Sequence, residues 1–314
     1  MPARKRKQDL MATPSRQMTA ACAGLAANLL LGLSALFWKA LGALPPATLL
    51  AVRIVASLAT LLLLMGALGR LSSLAQSLNR RNLALHLAAA MLVACNWLTF
   101  IRASIEGHVV ESGLGYLLAP FIAIAAGRLV FGETMSRFRL GALLLIAGCV
   151  LLLAWRSQEL QHQVYLTIGL SWGAYACIKK LAMLDAFGGL LCETVVLALL
   201  LPALAWSGAL SLAWPPPLPG ATWAMLAGSG LVSVLPLWLF SLAAARLPIT
   251  TMGFFQFVLP LTQLLVALLI YRQGLSANSA VCFGMICMAL LVILCEPMLA
   301  RVFVSTRTNK HDAG

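Results

Sequence analysis

The feature that most constrains this chain is a series of long apolar runs along nearly its whole length. Each approaches the ~20 helical residues that a hydrocarbon core requires, and a helix satisfies its backbone groups where no water is present. Ten runs can be read: residues 20–38, 47–68, 83–101, 109–131, 140–155, 164–178, 187–206, 223–245, 249–271 and 277–295. The sequence therefore predicts an all-α fold, a polytopic membrane protein with ten transmembrane helices.

The composition agrees with a chain that has lipid as its main solvent. Charged residues make up only 10% of the 314 residues, whereas water-soluble domains carry roughly 25%. The fifth and sixth runs are short, so we expect their helices to extend into flanking residues such as Arg139 and Lys179. The eight cysteines all lie in apolar runs, without the spacing of a metal site, so no metal or cofactor is expected.

The distribution of positive charge predicts an orientation. Seventeen of the 22 Lys and Arg residues fall in segments on the side of the N-terminus if the runs alternate across the membrane. Short loops rich in Lys and Arg stay in the cytoplasm, so both termini are expected there. Residues 1–18 are predicted to be a disordered basic tail and residues 297–314 a cytoplasmic C-terminal tail. The net charge of +13 then reflects topology, and no nucleic-acid partner is expected.

Two distant segments of the chain resemble each other. The sequence GLGYLLAP in the fourth run is similar to GFFQFVLP in the ninth, about 140 residues later. Tyr116 and Gln256 each precede a mid-span proline, Pro120 or Pro260, by one helical turn. An offset of five runs is odd, so the halves must have opposite orientations. The pattern predicts two inverted five-helix repeats, residues 19–156 and 163–296, as in many secondary transporters.

Ionisable residues inside the runs are candidates for a site. A charge at the centre of a membrane helix costs on the order of 2.5–3.5 kcal/mol, so Arg53 and Glu193 are expected to face a cavity; the alternative is a structural ion pair. Lys39 can instead reach the head groups, and Lys180 can anchor its helix in the cytoplasm. Glu111 can be a loop residue that favours the positive end of the fourth helix.

Uncharged polar residues in the runs add to this set. Asn96 needs a hydrogen-bond partner in hydrocarbon, either a neighbouring helix or a substrate. Trp97 lies in mid-span, where the interfacial aromatic belt does not explain it. Pro120 and Pro260 leave backbone carbonyls free to bind a ligand, although plain kinks are equally common.

Enzyme motifs are not evident in the sequence. It contains no nucleotide-binding GxxxxGK[ST], no HExxH and no GxSxG, and its histidines fall at run ends, in loops or in the tail. Without a nucleotide site, an ion or substrate gradient must supply the energy. Glu111 and Glu193 are then the candidate proton carriers.

Several motifs together resemble a known family. Asn96-Trp97-Leu98, the segment ESGLGY at residues 111–116, Gly132-Glu133, Glu193-Thr194 and the segment MGFFQ at residues 252–256 occur in this order. They are similar to the RarD-type permeases of the EamA family, in the drug/metabolite transporter superfamily. The resemblance runs from about residue 24 to residue 295. In place of the family's second Gly-Glu, this chain has Arg272-Gln273.

The resemblance implies two EamA-like repeats in the bacterial inner membrane and transport of a small molecule. The protein is expected to be a monomer or homodimer. By position, it implies substrate-binding or intramembrane polar roles for Lys39, Arg53, Asn96, Trp97, Glu111, Tyr116, Tyr175, Lys180, Glu193 and Gln256. The sequence is thus interpreted as a secondary active permease working as an exporter, with a small-molecule substrate and the lipid bilayer as its partners. The alternatives are a membrane-embedded lipid-modifying enzyme and a non-transporting membrane subunit.

Overall fold

The computed structural model describes residues 14–71, 79–156, 161–182, 184–208, 210–213, 217–270, 281 and 284–289. These residues are almost entirely helical and contain no strand. The helices are α1 (Pro14–Ala40), α2 (Pro46–Ala67), α3 (Arg80–Glu106), α4 (Val109–Leu129), α5 (Arg137–Arg156), α6 (His162–Leu181), α7 (Ala186–Trp206), α8 (Gly220–Arg246), α9 (Ile249–Gln256) and α10 (Val258–Leu269). Residues 284–289 are also helical.

The all-α membrane fold predicted from the sequence is confirmed. Seven spans among the described residues are long and apolar enough to cross a membrane, counting α9 and α10 as one. The helices α5 and α6 have 20 residues each and include Arg139 and Lys179, as expected. The count of ten membrane spans stays a prediction, because most of the tenth run lies outside the described residues, as do residues 1–13, the C-terminal tail and Arg272-Gln273. Residues 14–18, which the sequence analysis assigned to the disordered tail, are the first residues of α1.

The ninth apolar run is divided into two helices. Pro260 has no N–H to donate to the carbonyl of Gln256, four residues earlier, so the helical bonding is interrupted there. The helix α9 ends at Gln256 and α10 begins at Val258. Pro120, at the related position, lies within a continuous α4. The sequence predicted a bend or a free carbonyl at both prolines, and the break occurs at one of them.

The helices of the first half pack mainly on those of the second. The helix α1 packs on α8 and α3 packs on α6, while α2 contacts both α7 and α8, and α4 contacts α6 and α9. Glycines permit these close contacts, as is common in membranes. A Cβ atom on Gly169 would lie 2.9 Å from the backbone oxygen of Gly115. This packing brings the polar residues of α2, α3, α4, α6 and α7 into the interior.

Candidate functional site

Glu193 on α7 is the centre of a buried network in which three other side chains contact its carboxylate. Its Oε1 atom accepts a hydrogen bond of 2.8 Å from Lys179 Nζ and lies 2.8 Å from His86 Nδ1. Its Oε2 atom accepts a hydrogen bond of 3.1 Å from the hydroxyl of Tyr175. Glu193 is 2% exposed and His86 is completely buried. The network joins α3, α6 and α7 and places a carboxylate, an ammonium and an imidazole in direct contact.

Local helix geometry explains which lysine takes part. Tyr175 and Lys179 are four residues apart on α6 and therefore share a face, whereas Lys180 is turned away from that face. Lys180 donates to the backbone carbonyls of Ala244 and Leu247, at the end of α8. Reasoning from the sequence selected Lys180 and missed Lys179. The spacing to Tyr175 was the signal that could have identified it.

His86 was also missed, because the sequence places it near the start of an apolar run. In the structure it lies about two turns into α3, and its Nδ1 atom faces Glu193. A Cβ atom on Gly189 of α7 would come within 2.7 Å of the His86 ring. A glycine at that position therefore leaves the space that the imidazole occupies.

Arg53 on α2 lies between two tryptophan rings. Its Cζ atom is 3.9 Å from the ring centroid of Trp97 and 4.7 Å from that of Trp38. These distances are within the range of cation–π interactions. Arg53 is 2% exposed, and its Nε and Nη1 atoms are buried without a hydrogen-bond partner. The buried guanidinium is thus in contact with two aromatic rings, and two of its nitrogen atoms make no hydrogen bond.

Asn96 connects three helices. Its Nδ2 atom donates to the carbonyl of Ile168 and to Ser171 Oγ on α6, and its Oδ1 atom accepts a bond of 3.0 Å from the Tyr116 hydroxyl on α4. The Tyr116 ring packs edge-on against Phe100. The partner that Asn96 needs is therefore supplied by neighbouring helices. The same contacts fix the Tyr116 ring in the interior.

Two buried glutamines on the broken span have no hydrogen-bond partner among the residues that the structure describes. Both polar atoms of Gln256 and both of Gln263 are buried without a hydrogen bond. Each side chain is 1% exposed. Buried amides without partners are rare in proteins and call for an explanation. Since these side chains can both donate and accept, a polar ligand or water can satisfy them.

Two of the other predicted positions lie at helix ends. Glu111 is in the first turn of α4, where its Oε1 atom is 3.1 Å from His108 Nδ1. The Nε2 atom of His108 is 2.9 Å from Gln161 Nε2, just before α6. Lys39 is exposed in the last turn of α1.

Glu133 links the two halves at the opposite end of α4. Its carboxylate accepts bonds of 2.9 Å from the backbone N–H groups of Ile249 and Thr250, and one of 2.8 Å from the Thr250 hydroxyl. These are the first residues of α9, whose free N–H groups attract an acidic group. The Gly-Glu motif after α4 therefore caps a helix of the other half.

The chain is similar in sequence to bacterial transporters over most of its length. It is 32% identical over 295 residues to protein RarD of Streptomyces exfoliatus, covering 90% of each chain. It is 32% identical over 267 residues to the uncharacterized transporter YojE of Bacillus subtilis, covering 83% of this chain and 88% of that one. The chain belongs to the RarD family. This RarD-type permease is accordingly a multi-pass membrane transporter.

A further sequence relative and a solved structure are also similar to this chain. RarD of Escherichia coli is 29% identical over 291 residues, covering 91% of this chain and 96% of that one. A protein of known crystal structure superposes with a TM-score of 0.66 at 19% identity, over 88% of this chain and 97% of the other. That likeness concerns the fold alone. No family model matches the chain.

The structure brings the residues expected of a RarD-type site into several groups. Asn96 contacts Tyr116, Tyr175 contacts Glu193, and Arg53 lies against Trp97. Gln256 is also buried but takes part in none of these contacts. Glu111, Lys180 and Lys39 lie toward helix ends. Among the described residues no cluster of three metal-ligating side chains occurs. The role of these residues in substrate binding stays a prediction.

Proposed function

We propose that this protein is a secondary active exporter of a small molecule across the bacterial inner membrane, with both termini in the cytoplasm. The observation that carries the proposal is the burial of Arg53 and Glu193 in the interior of the helix bundle, where Glu193 of the second half contacts His86 of the first. Ionisable groups enclosed in a membrane bundle are expensive, and they mark substrate or ion pathways. The excess of Lys and Arg on one side of the predicted spans supports the orientation.

We infer that the two halves are inverted repeats, residues 19–156 and 163–296. In such a repeat α1, α2 and α3 correspond to α6, α7 and α8, so each contact between the halves has a counterpart. The contact of α1 with α8 has its counterpart in that of α6 with α3, and the contact of α2 with α8 has its counterpart in that of α7 with α3. Gly69 and Gly208 also support it. They follow α2 and α7 at an offset near 140 residues, and both have positive φ, 62° and 72°, a conformation that glycine adopts easily.

A change between two shapes would require the contacts between the halves to open at one end. The hydrogen bonds that Glu133 accepts from α9 join the halves at the end that the orientation assigns to the cytoplasm. The break between α9 and α10 offers a place where the second half can bend. In this proposal, release of Glu133 from α9 accompanies opening toward the cytoplasm.

Exchange across liposomes tests the proposal. The purified full chain is reconstituted, and uptake of four labelled probes with a similar aromatic body is measured: benzoate, benzamide, phenylalanine and phenylethylamine. A carrier is expected to give saturable uptake of at least one probe, stimulated several-fold by the same compound inside. Uptake that neither saturates nor responds to internal compound would indicate a channel, and no uptake of any probe would contradict the proposed function.

A further inference from the structure

The surroundings of Arg53 contain hydrogen-bond donors that lack acceptors. The Nε and Nη1 atoms of Arg53 and the Nε1 atom of Trp38 are all buried without a partner. A guanidinium has five N–H donors and no acceptor, and an indole nitrogen only donates. The missing partner at this position must therefore supply acceptor atoms.

The buried acids of the described helices are engaged elsewhere. Glu193 is held by Lys179 and His86, and Glu111 lies against His108. Among the described residues, no carboxylate forms an ion pair with Arg53. Because Lys179 already balances the charge of Glu193, Glu193 does not serve as a counter-ion for Arg53, and no other described acid does so. A buried charge without a counter-ion favours binding of the opposite charge.

The aromatic residues define how such an anion can approach. The rings of Trp97 and Trp38 flank the guanidinium, so its unpaired N–H groups are the part left to bond. An anion bound at Arg53 would therefore have the rings of Trp97 and Trp38 close by as aromatic surface for the apolar part of the molecule.

We propose, on the basis of the transport function above, that the substrate is a small organic anion with a carboxylate that binds Arg53. A carboxylate matches the guanidinium with two parallel hydrogen bonds. Its single negative charge balances the single positive charge of Arg53, which forms no ion pair within the described part of the chain. A doubly charged phosphate would require a second cation, and Lys179 is bound to Glu193. A zwitterion would require a free acid for its ammonium group.

Binding to the purified full chain in detergent tests the proposal. Calorimetry compares benzoate, phenylacetate and short aliphatic acids with their amides, with phenylethylamine and with inorganic phosphate. We expect acids to bind at least tenfold more tightly than their amides. Arg53→Met is expected to abolish that preference and Arg53→Lys to retain part of it. Arg102→Met, at an exposed position on α3, is the matched control and is expected to bind as the unchanged chain does.

Several outcomes would overturn the anion proposal. These are equal binding of acids and amides, binding of phosphate alone, no acid-specific binding across the panel, or an unchanged acid preference in Arg53→Met. The transport assay separates this proposal from the function. Acid binding that depends on Arg53 without exchange in liposomes would remove the carrier function and leave the anion site. Exchange of phenylethylamine or benzamide alone would leave the carrier and remove the anion site.

Discussion

Replacing Glu193 with alanine is expected to abolish transport and to lower the free energy of unfolding by about 3–5 kcal/mol, because removal of one partner leaves a buried charge uncompensated. Glu193 accepts bonds from Lys179 and Tyr175 and contacts His86, so its loss leaves three buried groups without their partner. Unfolding in detergent measures the stability, and exchange in liposomes measures the transport.

A double variant separates stability from function at this network. Lys179→Met combined with Glu193→Ala removes the pair as a unit, so much of the stability should return while transport stays lost. Glu106→Ala is the matched control, because Glu106 forms an exposed ion pair with Arg102, and such pairs contribute about 0–1 kcal/mol. Full transport in the double variant would show that the network is structural only.

Gly228 and Gly230 lie two residues apart on α8, and replacing each with alanine is expected to change the free energy of unfolding in opposite directions. A Cβ atom on Gly230 would lie 2.3 Å from the backbone oxygen of Ala56 and 2.4 Å from Thr60 Oγ1 on α2. The helices must then separate, and overpacking of this kind costs about 1–3 kcal/mol. A Cβ atom on Gly228 would meet no atom within 4 Å, so Gly228→Ala should stabilise the helix by up to about 1 kcal/mol.

The same pair bears on transport, because α2 and α8 belong to different halves. We expect Gly230→Ala to reduce exchange strongly and Gly228→Ala to leave it unchanged. Unfolding midpoints and exchange rates of the two variants, measured side by side, check both statements. Equal stability of the two variants would mean that α2 and α8 are not in close contact at Gly230.

The helical architecture was accessible from the sequence because lipid imposes strict conditions on length and polarity. Runs of about 20 apolar residues can only form helices in a membrane, and the predicted spans coincide closely with helices such as α2 and α7. The same reasoning indicated that Arg53 and Glu193 would be buried, since a charge in lipid is costly. Both side chains are 2% exposed.

Which side chains pair with one another could not be predicted from the sequence in the same way. Whether Lys179 or Lys180 faces Glu193 depends on the rotation of α6 against α7, which apolar composition does not reveal. His86 reaches Glu193 from α3, more than 100 residues earlier in the chain, so no local spacing connects them. The break at residue 257 depends similarly on its packing, because Pro120 at the related position does not interrupt α4.

If two oppositely oriented halves enclose the buried charges, two equivalent loops of these halves lie on opposite faces of the membrane, and thiol labelling of the loops distinguishes the two faces. Leu71 follows α2 and Leu212 follows α7, both are exposed, and five predicted membrane crossings separate them. Each is replaced by cysteine in a chain without the eight native cysteines and treated with a membrane-impermeant thiol reagent. We predict that intact cells label Leu212→Cys, whereas Leu71→Cys is labelled only after permeabilisation. Labelling of both from the same side would contradict the inverted arrangement.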